Sequence, residues 1–316
     1  MFCLFNYVGT PTVTRMLPLL KLPGHRPFYL LFPFTGAEPH RNPPYQSQVL
    51  NLRASYFQET QGLVDRLTAV GRTRIAVFYQ ADAYGRGGWE GVRRALAGRG
   101  LELAGEATYR RGTPYGASLR EQARLLRAAE PHAVISIGAY AACAAFVRDA
   151  RDEGLEVPIA NVSFVDSENL LALLLGTSAA TGRDYTRDLL NSQVVPSPED
   201  LSLPAVREYR ALMDRFGTLP PPELLVEPYD PVRYSPVSLE GFLNAKLLVE
   251  LVRRMGDEPR GEGIGEAARA MGSVDLGLGV PVRFGPGRHQ GLDAVYFTTV
   301  EGGRFVPVAD WSRWRR

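Results

Sequence analysis

Five short loops carry the residues best suited to chemistry: Gly9-Thr10-Pro11-Thr12, Phe34-Thr35-Gly36-Ala37, Asp82-Ala83-Tyr84-Gly85, Gly138-Ala139-Tyr140 and Val162-Ser163-Phe164. Free backbone N–H groups at a helix start, helped by threonine hydroxyls, hold a carboxylate or another anionic head group. Tyrosine and phenylalanine add apolar walls with a polar handle. Each loop alone is satisfied as a plain helix cap; their recurrence points to a shared cleft for a small ligand. A second candidate is Tyr84-Gly85-Arg86-Gly87-Gly88-Trp89-Glu90-Gly91, a GxGGxxG run after a strand. A dinucleotide pyrophosphate can rest on a helix N-terminus in such a turn. Here the run begins late, and no acidic residue closes the next strand at the usual ~20-residue distance. Nucleotide binding through Gly85 to Gly91 is therefore the lesser reading.

Other chemistries find little support. His25, His40, His132 and His289 are isolated, and the chain holds no HExxH, GxSxG or GxxxxGK[ST] pattern. His132 begins a strand after Pro131 and His289 sits in a turn, which suits structural roles. Cys3 and Cys143 can form at most one disulfide and belong to no CxxC or Cys/His cluster, excluding a disulfide scaffold and a zinc finger. No catalytic residue, metal or cofactor is expected.

The elements that must position these loops alternate. Apolar runs predict strands over Phe2 to Val8, Phe28 to Phe32 and Gln48 to Leu52, with a helix after Pro11. A helix over Gln58 to Val70 leads into a strand, Arg74 to Tyr79, apolar enough to be buried on both faces. Helices over Gly88 to Ala97, Leu119 to Ala129, Ala141 to Ala150 and Ser167 to Leu175 alternate with strands Leu103 to Tyr109, Ala133 to Ile137 and Val157 to Ala160. That alternation predicts a parallel sheet with helices on both faces. Further on come a strand over Ser192 to Pro198, helices over Leu203 to Phe216 and Val237 to Met255, and a proline-rich loop over 218–236 between those helices. Strands over Val280 to Phe284, Ala294 to Val300 and Arg304 to Val308 close the chain, the last two joined by the Glu301-Gly302-Gly303 turn.

Composition narrows the class further. With 316 residues, 45% apolar and 22% charged, the chain is globular and long enough for two domains. Its 36 basic and 34 acidic residues balance to +2, with no charge block for nucleic acid or an anionic membrane. Lys21 and Lys246 are the only lysines. Apolar runs such as Leu170 to Leu175 fall far short of the ~20 residues that span a bilayer, so no direct membrane insertion is expected.

With these residues in view, the sequence resembles a type I periplasmic solute-binding protein of the branched-chain amino acid class serving ABC importers. The likeness runs over essentially the whole chain. It is carried by Tyr7-Val-Gly-Thr-Pro-Thr12, Pro33-Phe-Thr-Gly-Ala37, Arg74-Ile-Ala-Val-Phe-Tyr-Gln-Ala-Asp-Ala-Tyr-Gly85, Ala133-Val-Ile-Ser-Ile-Gly-Ala-Tyr140, Ser238-Leu-Glu-Gly241 and Gly303-Arg-Phe-Val-Pro307. The resemblance implies an α/β fold of two interleaved Rossmann-like lobes closing on a ligand by a hinge. Residues 1–54 plus 197–284 would form one lobe and 55–196 plus 285–316 the other, with crossings near Arg53 to Ser55, Val194 to Pro196 and Phe284 to Pro286. Gly9, Thr10, Thr12, Phe34, Thr35 and Gly36 match first-lobe ligand loops, Thr10, Thr12, Thr35 and Gly36 holding a ligand carboxylate. Tyr84, Tyr140, Ser163, Phe164 and Asp166 match the second lobe.

Two departures from that pattern matter. The loop matching Val162-Ser163-Phe164 supplies an acid for the ligand ammonium in amino-acid binders of the class, and here the position holds Ser163, with Asp166 the nearest acid. Either Asp166 substitutes, or the ligand is a carboxylate, amide or aromatic acid without a cationic amine. The resemblance also implies that relatives begin with about two further βαβ units, roughly 60 to 75 residues, so the first lobe is expected to be incomplete. The opening Met-Phe-Cys-Leu-Phe-Asn-Tyr-Val-Gly carries no signal-peptide pattern. Permease subunits are the implied partners and an extracytoplasmic site the implied location; a ligand-sensing regulatory domain of the same fold is the alternative.

Overall fold

Left-handed residues keep the first strands of the chain short. The structure, a computed structural model, describes residues 2–24, 26, 28–217, 221, 223 and 232–316. β1 (Leu4–Phe5), β2 (Leu30–Leu31) and β3 (Val49–Leu50) pair in that order as parallel strands, with α1 (Thr10–Met16) in the first crossover. Asn6 and Phe32 follow the first two strands at φ 53° and 52°, a conformation that lifts the next peptide out of the ladder. Pairing returns as a single bridge between Val8 and Phe34. The expected strands Phe2 to Val8 and Phe28 to Phe32 are thus broken to two-residue ladders, while β3 is confined between the turn Gln46–Gln48 and Asn51, whose N–H donates to the His289 carbonyl.

The second sheet is longer. α2 (Tyr56–Ala69) starts at a capping box: the Gln58 N–H donates to the Ser55 hydroxyl at 3.3 Å, and the Ser55 N–H donates to the Gln58 side chain at 2.8 Å. Then follow β4 (Ile75–Gln80), α3 (Ala83–Ala97), β5 (Gly105–Tyr109), α4 (Arg120–Ala128), β6 (Ala133–Ile137), α5 (Tyr140–Asp152), β7 (Ile159–Asn161), α6 (Ser167–Thr181) and β8 (Leu189–Gln193). The chain continues through α7 (Pro204–Phe216), α8 (Pro236–Arg254), α9 (Ile264–Ala270), β9 (Ser273–Val274) and β10 (Val282–Arg283) to β11 (Tyr296–Glu301) and β12 (Arg304–Pro307). The strand order is β12-β11-β8-β7-β6-β4-β5, with β4 to β8 mutually parallel and β11 and β12 antiparallel. β4 and β6 are buried along their whole length, as strands with helices on both faces must be. Gly302 and Gly303, at φ 57° and 75°, supply the left-handed turn of the last hairpin.

Packing follows the two sheets. One core joins Leu31, Leu52, Val195, Tyr209, Leu243 and Leu292 around the three-stranded sheet. Two more lie against the seven-stranded sheet, one around Phe78, Phe146 and Leu189, the other around Leu63, Val77, Ile135 and Trp314. Cys3 packs against the first core and Cys143 lies inside the second, both as free thiols.

Two regions differ from the sequence pattern. β8 ends where the expected strand Ser192 to Pro198 was to begin, because Pro196 and Pro198 cannot donate to a ladder. Its polar residues are buried and bonded to side chains: Asn191 Oδ1 accepts from the Asn161 amide at 3.0 Å, the Ser192 hydroxyl donates to Glu59 and the Gln193 amide donates to the Ser167 hydroxyl. α9 and β9 were not anticipated, although Ile264, Ala268 and Met271 mark one buried helical face. The proline-rich stretch 218–236 falls largely outside the described residues.

Candidate functional site

Arg53 leaves the first sheet on the way to α2 and stands at the centre of a buried ion cluster, its side chain 1% exposed. Its Nη2 donates to Glu59 Oε1 at 3.2 Å and to the Ser163 hydroxyl, and Nη1 reaches Glu240 Oε2 at 3.4 Å. Glu59 comes from the inward face of α2, shared with Tyr56, Leu63 and Leu67. Besides Arg53, its carboxylate accepts from the Ser163 N–H at 2.8 Å, the Ser163 hydroxyl at 2.9 Å and the Ser192 hydroxyl at 2.6 Å. Those contacts occupy the four lone-pair directions of the group. Glu240, on α8, is less well held: its Oε1 is buried with no partner. Burial pushes its carboxyl up to about 7, against the pull of Arg53. For Arg53, burial favours the neutral form, but Glu240 and Glu59 outweigh it and hold the guanidinium charged.

Aromatic rings close over this cluster from both sheets. The Arg53 guanidinium sits 5.0 Å over the Phe34 ring. Phe34 meets Phe164 at 5.5 Å, Phe164 meets Tyr84 at 4.8 Å, and Tyr84 meets Tyr56 at 5.2 Å. The Tyr84 hydroxyl donates to the Gly138 carbonyl at 3.3 Å. The Tyr56 hydroxyl lies near Thr35 and Gly36, buried and without a hydrogen-bond partner. Gly36 is required here, since a Cβ would stand 2.6 Å from the Tyr56 ring. Thr10 and Thr35 share a hydroxyl hydrogen bond of 2.8 Å. Arg41 fixes the loop, donating to the carbonyls of Thr35 at 3.3 Å, Ala37 at 3.2 Å and Arg53 at 3.2 Å.

Thr10, Phe34, Thr35, Gly36, Tyr84, Ser163 and Phe164 therefore meet at one seam, joined by four residues that sequence reading assigned no such role: Arg53, Tyr56, Glu59 and Glu240. Gly9, at φ 90°, caps α1 beside them. Thr12 and Tyr140 are exposed. Asp166, at φ 61°, accepts from Asn169 at 2.6 Å, and burial raises its carboxyl, as it does that of neighbouring Glu168. The carboxylate bonded to Ser163 is that of Glu59, from a different element. A signal for it was present: Tyr56, Glu59, Leu63 and Leu67 repeat at helical spacing on one face.

The glycine-rich run does not form a phosphate loop. α3 begins at Ala83, and the Asp82 carboxylate already accepts from the N–H groups of Tyr84 at 2.9 Å and Gly85 at 3.2 Å. A phosphate there would displace a carboxylate from the donors it needs. Within the helix, a Cβ on Gly88 would stand 2.7 Å from Ile137 and one on Gly91 2.3 Å from the Thr60 hydroxyl. The glycines let α3 press against β6 and α2. Two of the histidines are tied into the structure: His132 Nδ1 accepts from Thr73 and Arg74 N–H groups, and His40 Nε2 lies 2.9 Å from Asn51 Oδ1. Among the described residues, no group of three or more His, Cys, Asp or Glu side chains is placed to hold a metal.

Known proteins agree with this architecture. The sequence profile described as periplasmic binding protein matches residues 2–304. A possible leucine/isoleucine/valine-binding protein from Rhodopirellula baltica is 30% identical, with a TM-score of 0.83, over 99% of this chain and 79% of that one. A substrate-binding periplasmic protein from Ralstonia solanacearum is 28% identical, with a TM-score of 0.80, over 97% of this chain and 80% of that one. A branched-chain amino acid ABC transporter protein from Thermus thermophilus, solved with bound valine, shares the fold at 18% identity and a TM-score of 0.80, over 97% of this chain and 77% of that one. No curated protein sequence matches the chain.

Proposed function

The chain belongs to the periplasmic binding protein family, and on that premise we propose that it is the extracytoplasmic solute-binding component of an ABC importer. It captures a small organic ligand (an amino acid, amide or carboxylate) between two lobes that close by a hinge, and it delivers that ligand to permease subunits. The lobes are residues 1–54 plus 197–284 and residues 55–196 plus 285–316. The observation that carries the reading is the seam itself. Phe34 from the first sheet faces Phe164 and Tyr84 from the second, with the hydroxyls of Thr10 and Thr35 beside them. Parting the rings opens a space with apolar walls and polar handles, and a ligand that replaces the ring contacts draws the two sides together. Among the described residues no helix is long and apolar enough to cross a membrane.

Thermal-shift screening against amino acids, amides, aromatic carboxylates and NAD tests this. A ligand at ~100 times its Kd adds ~2.7 kcal/mol of stability. Stabilisation by one of the small organic solutes is expected, and it is expected to disappear in Phe164→Asp. Stabilisation by NAD alone would overturn the reading.

A further inference from the structure

From the balance of donors and acceptors at the seam, we infer that the solute bound there is an organic carboxylate with no cationic amine. The inference rests on the reading of the seam as the ligand site and narrows it to a class.

An ammonium group buried with its ligand needs a carboxylate with room to accept. Glu59 is the carboxylate bonded to Ser163, and all its acceptor directions are taken by Arg53, the Ser163 N–H and two serine hydroxyls. Glu240 retains one unpartnered oxygen. It lies against the Arg53 guanidinium at 3.4 Å, with the positive charge of Arg41 also acting on it. An ammonium brought to that oxygen would stand among fixed cations.

The unused groups are mostly donors. The Tyr56 O–H and the Arg53 Nε–H are both buried and unpartnered, and the two side chains are each 1% exposed. The Thr10 and Thr35 hydroxyls bond only one another and a backbone N–H, although each can take a further partner. Buried donors without acceptors are costly, and a carboxylate, which only accepts, fits such a set. Around them Phe34, Tyr84 and Phe164 offer apolar faces to the remainder of the ligand.

Titration calorimetry on the full chain at pH 7.5 tests the class with matched pairs: 4-methylpentanoate against leucine, and 3-phenylpropanoate against phenylalanine. The acid of at least one pair is expected to bind, with its amino acid weaker on the order of 100-fold. In Tyr56→Phe the acid is expected to weaken about 10-fold while the matched neutral amide, 4-methylpentanamide or 3-phenylpropanamide, changes little. The melting temperature of the ligand-free variant, read alongside, separates a lost ligand contact from a damaged fold. An amino acid that binds as tightly as its acid overturns the inference and leaves the seam as the solute site. Unchanged acid affinity in Tyr56→Phe also overturns it. If neither acids nor amino acids bind, the inference falls together with the reading beneath it.

Discussion

On the outer face of the second sheet, Arg120 and Arg124 reach Glu153 at 3.0 and 2.7 Å, while at the seam Arg53 reaches Glu59 and Glu240 at 3.2 and 3.4 Å. By distance alone the outer pairs are the better ones. Their arginine side chains are 47% and 65% exposed, against 1% for Arg53. Water screens the outer charges and leaves each group an alternative partner. At the seam no such alternative exists, so each charge depends on its neighbours and removing one strands the rest. Burial, more than geometry, decides how much an ion pair matters to this molecule.

The largest expected effect follows from Arg53→Met. It leaves Glu59 and Glu240 buried without their cation, and urea unfolding should show a loss of about 3–5 kcal/mol. A loss below about 1 kcal/mol would mean that the seam tolerates its charges as the surface does, and the contrast would collapse.

Glu240 sharpens the comparison through pH. Its folded value is about 7 against an ordinary 4.5, so between those values the folded state holds the proton more firmly than the unfolded chain. That contribution is complete below the lower value and is lost as pH rises through the upper one. Glu240→Gln removes the titration. The melting temperature of the variant relative to the native chain is therefore expected to rise from pH 5 to pH 8, and a constant difference would contradict the assignment.

Arg124→Ala carries the smallest expected effect: no resolvable change in urea midpoint at physiological salt, and none in high salt. A clear loss would show that the outer ladder, too, is a structural element.

How much of this was legible in the sequence depended on the kind of signal. The stretch from α2 to α6 was readable because runs such as Ile75 to Tyr79 and Ala133 to Ile137 are apolar without interruption. The seam loops were readable one at a time, since Thr10, Thr35, Tyr84, Ser163 and Phe164 each stand at the end of a strand. Their polar partners were not. Arg53 and Ser163 lie 110 positions apart, and nothing local distinguishes a charged residue that will be buried from one facing water. Glu59 was the exception in principle, because its place on the apolar face of α2 follows from spacing alone. The short first strands were overestimated because a left-handed Phe32 has no sequence signature.

The thiols described with the cores have a practical consequence for optical work. Cys143 is sealed beside Phe78 and Phe146, and burial pushes its thiol up to about 12, so it offers alkylating reagents almost no thiolate. Cys3 is only partly covered, and burial raises its thiol as well. With Cys3 changed to serine, a dye attached through Tyr140→Cys, at an exposed position on the second sheet's side of the seam, would be the chain's single fluorophore label. Its emission would then follow the relative movement of the two sides in real time.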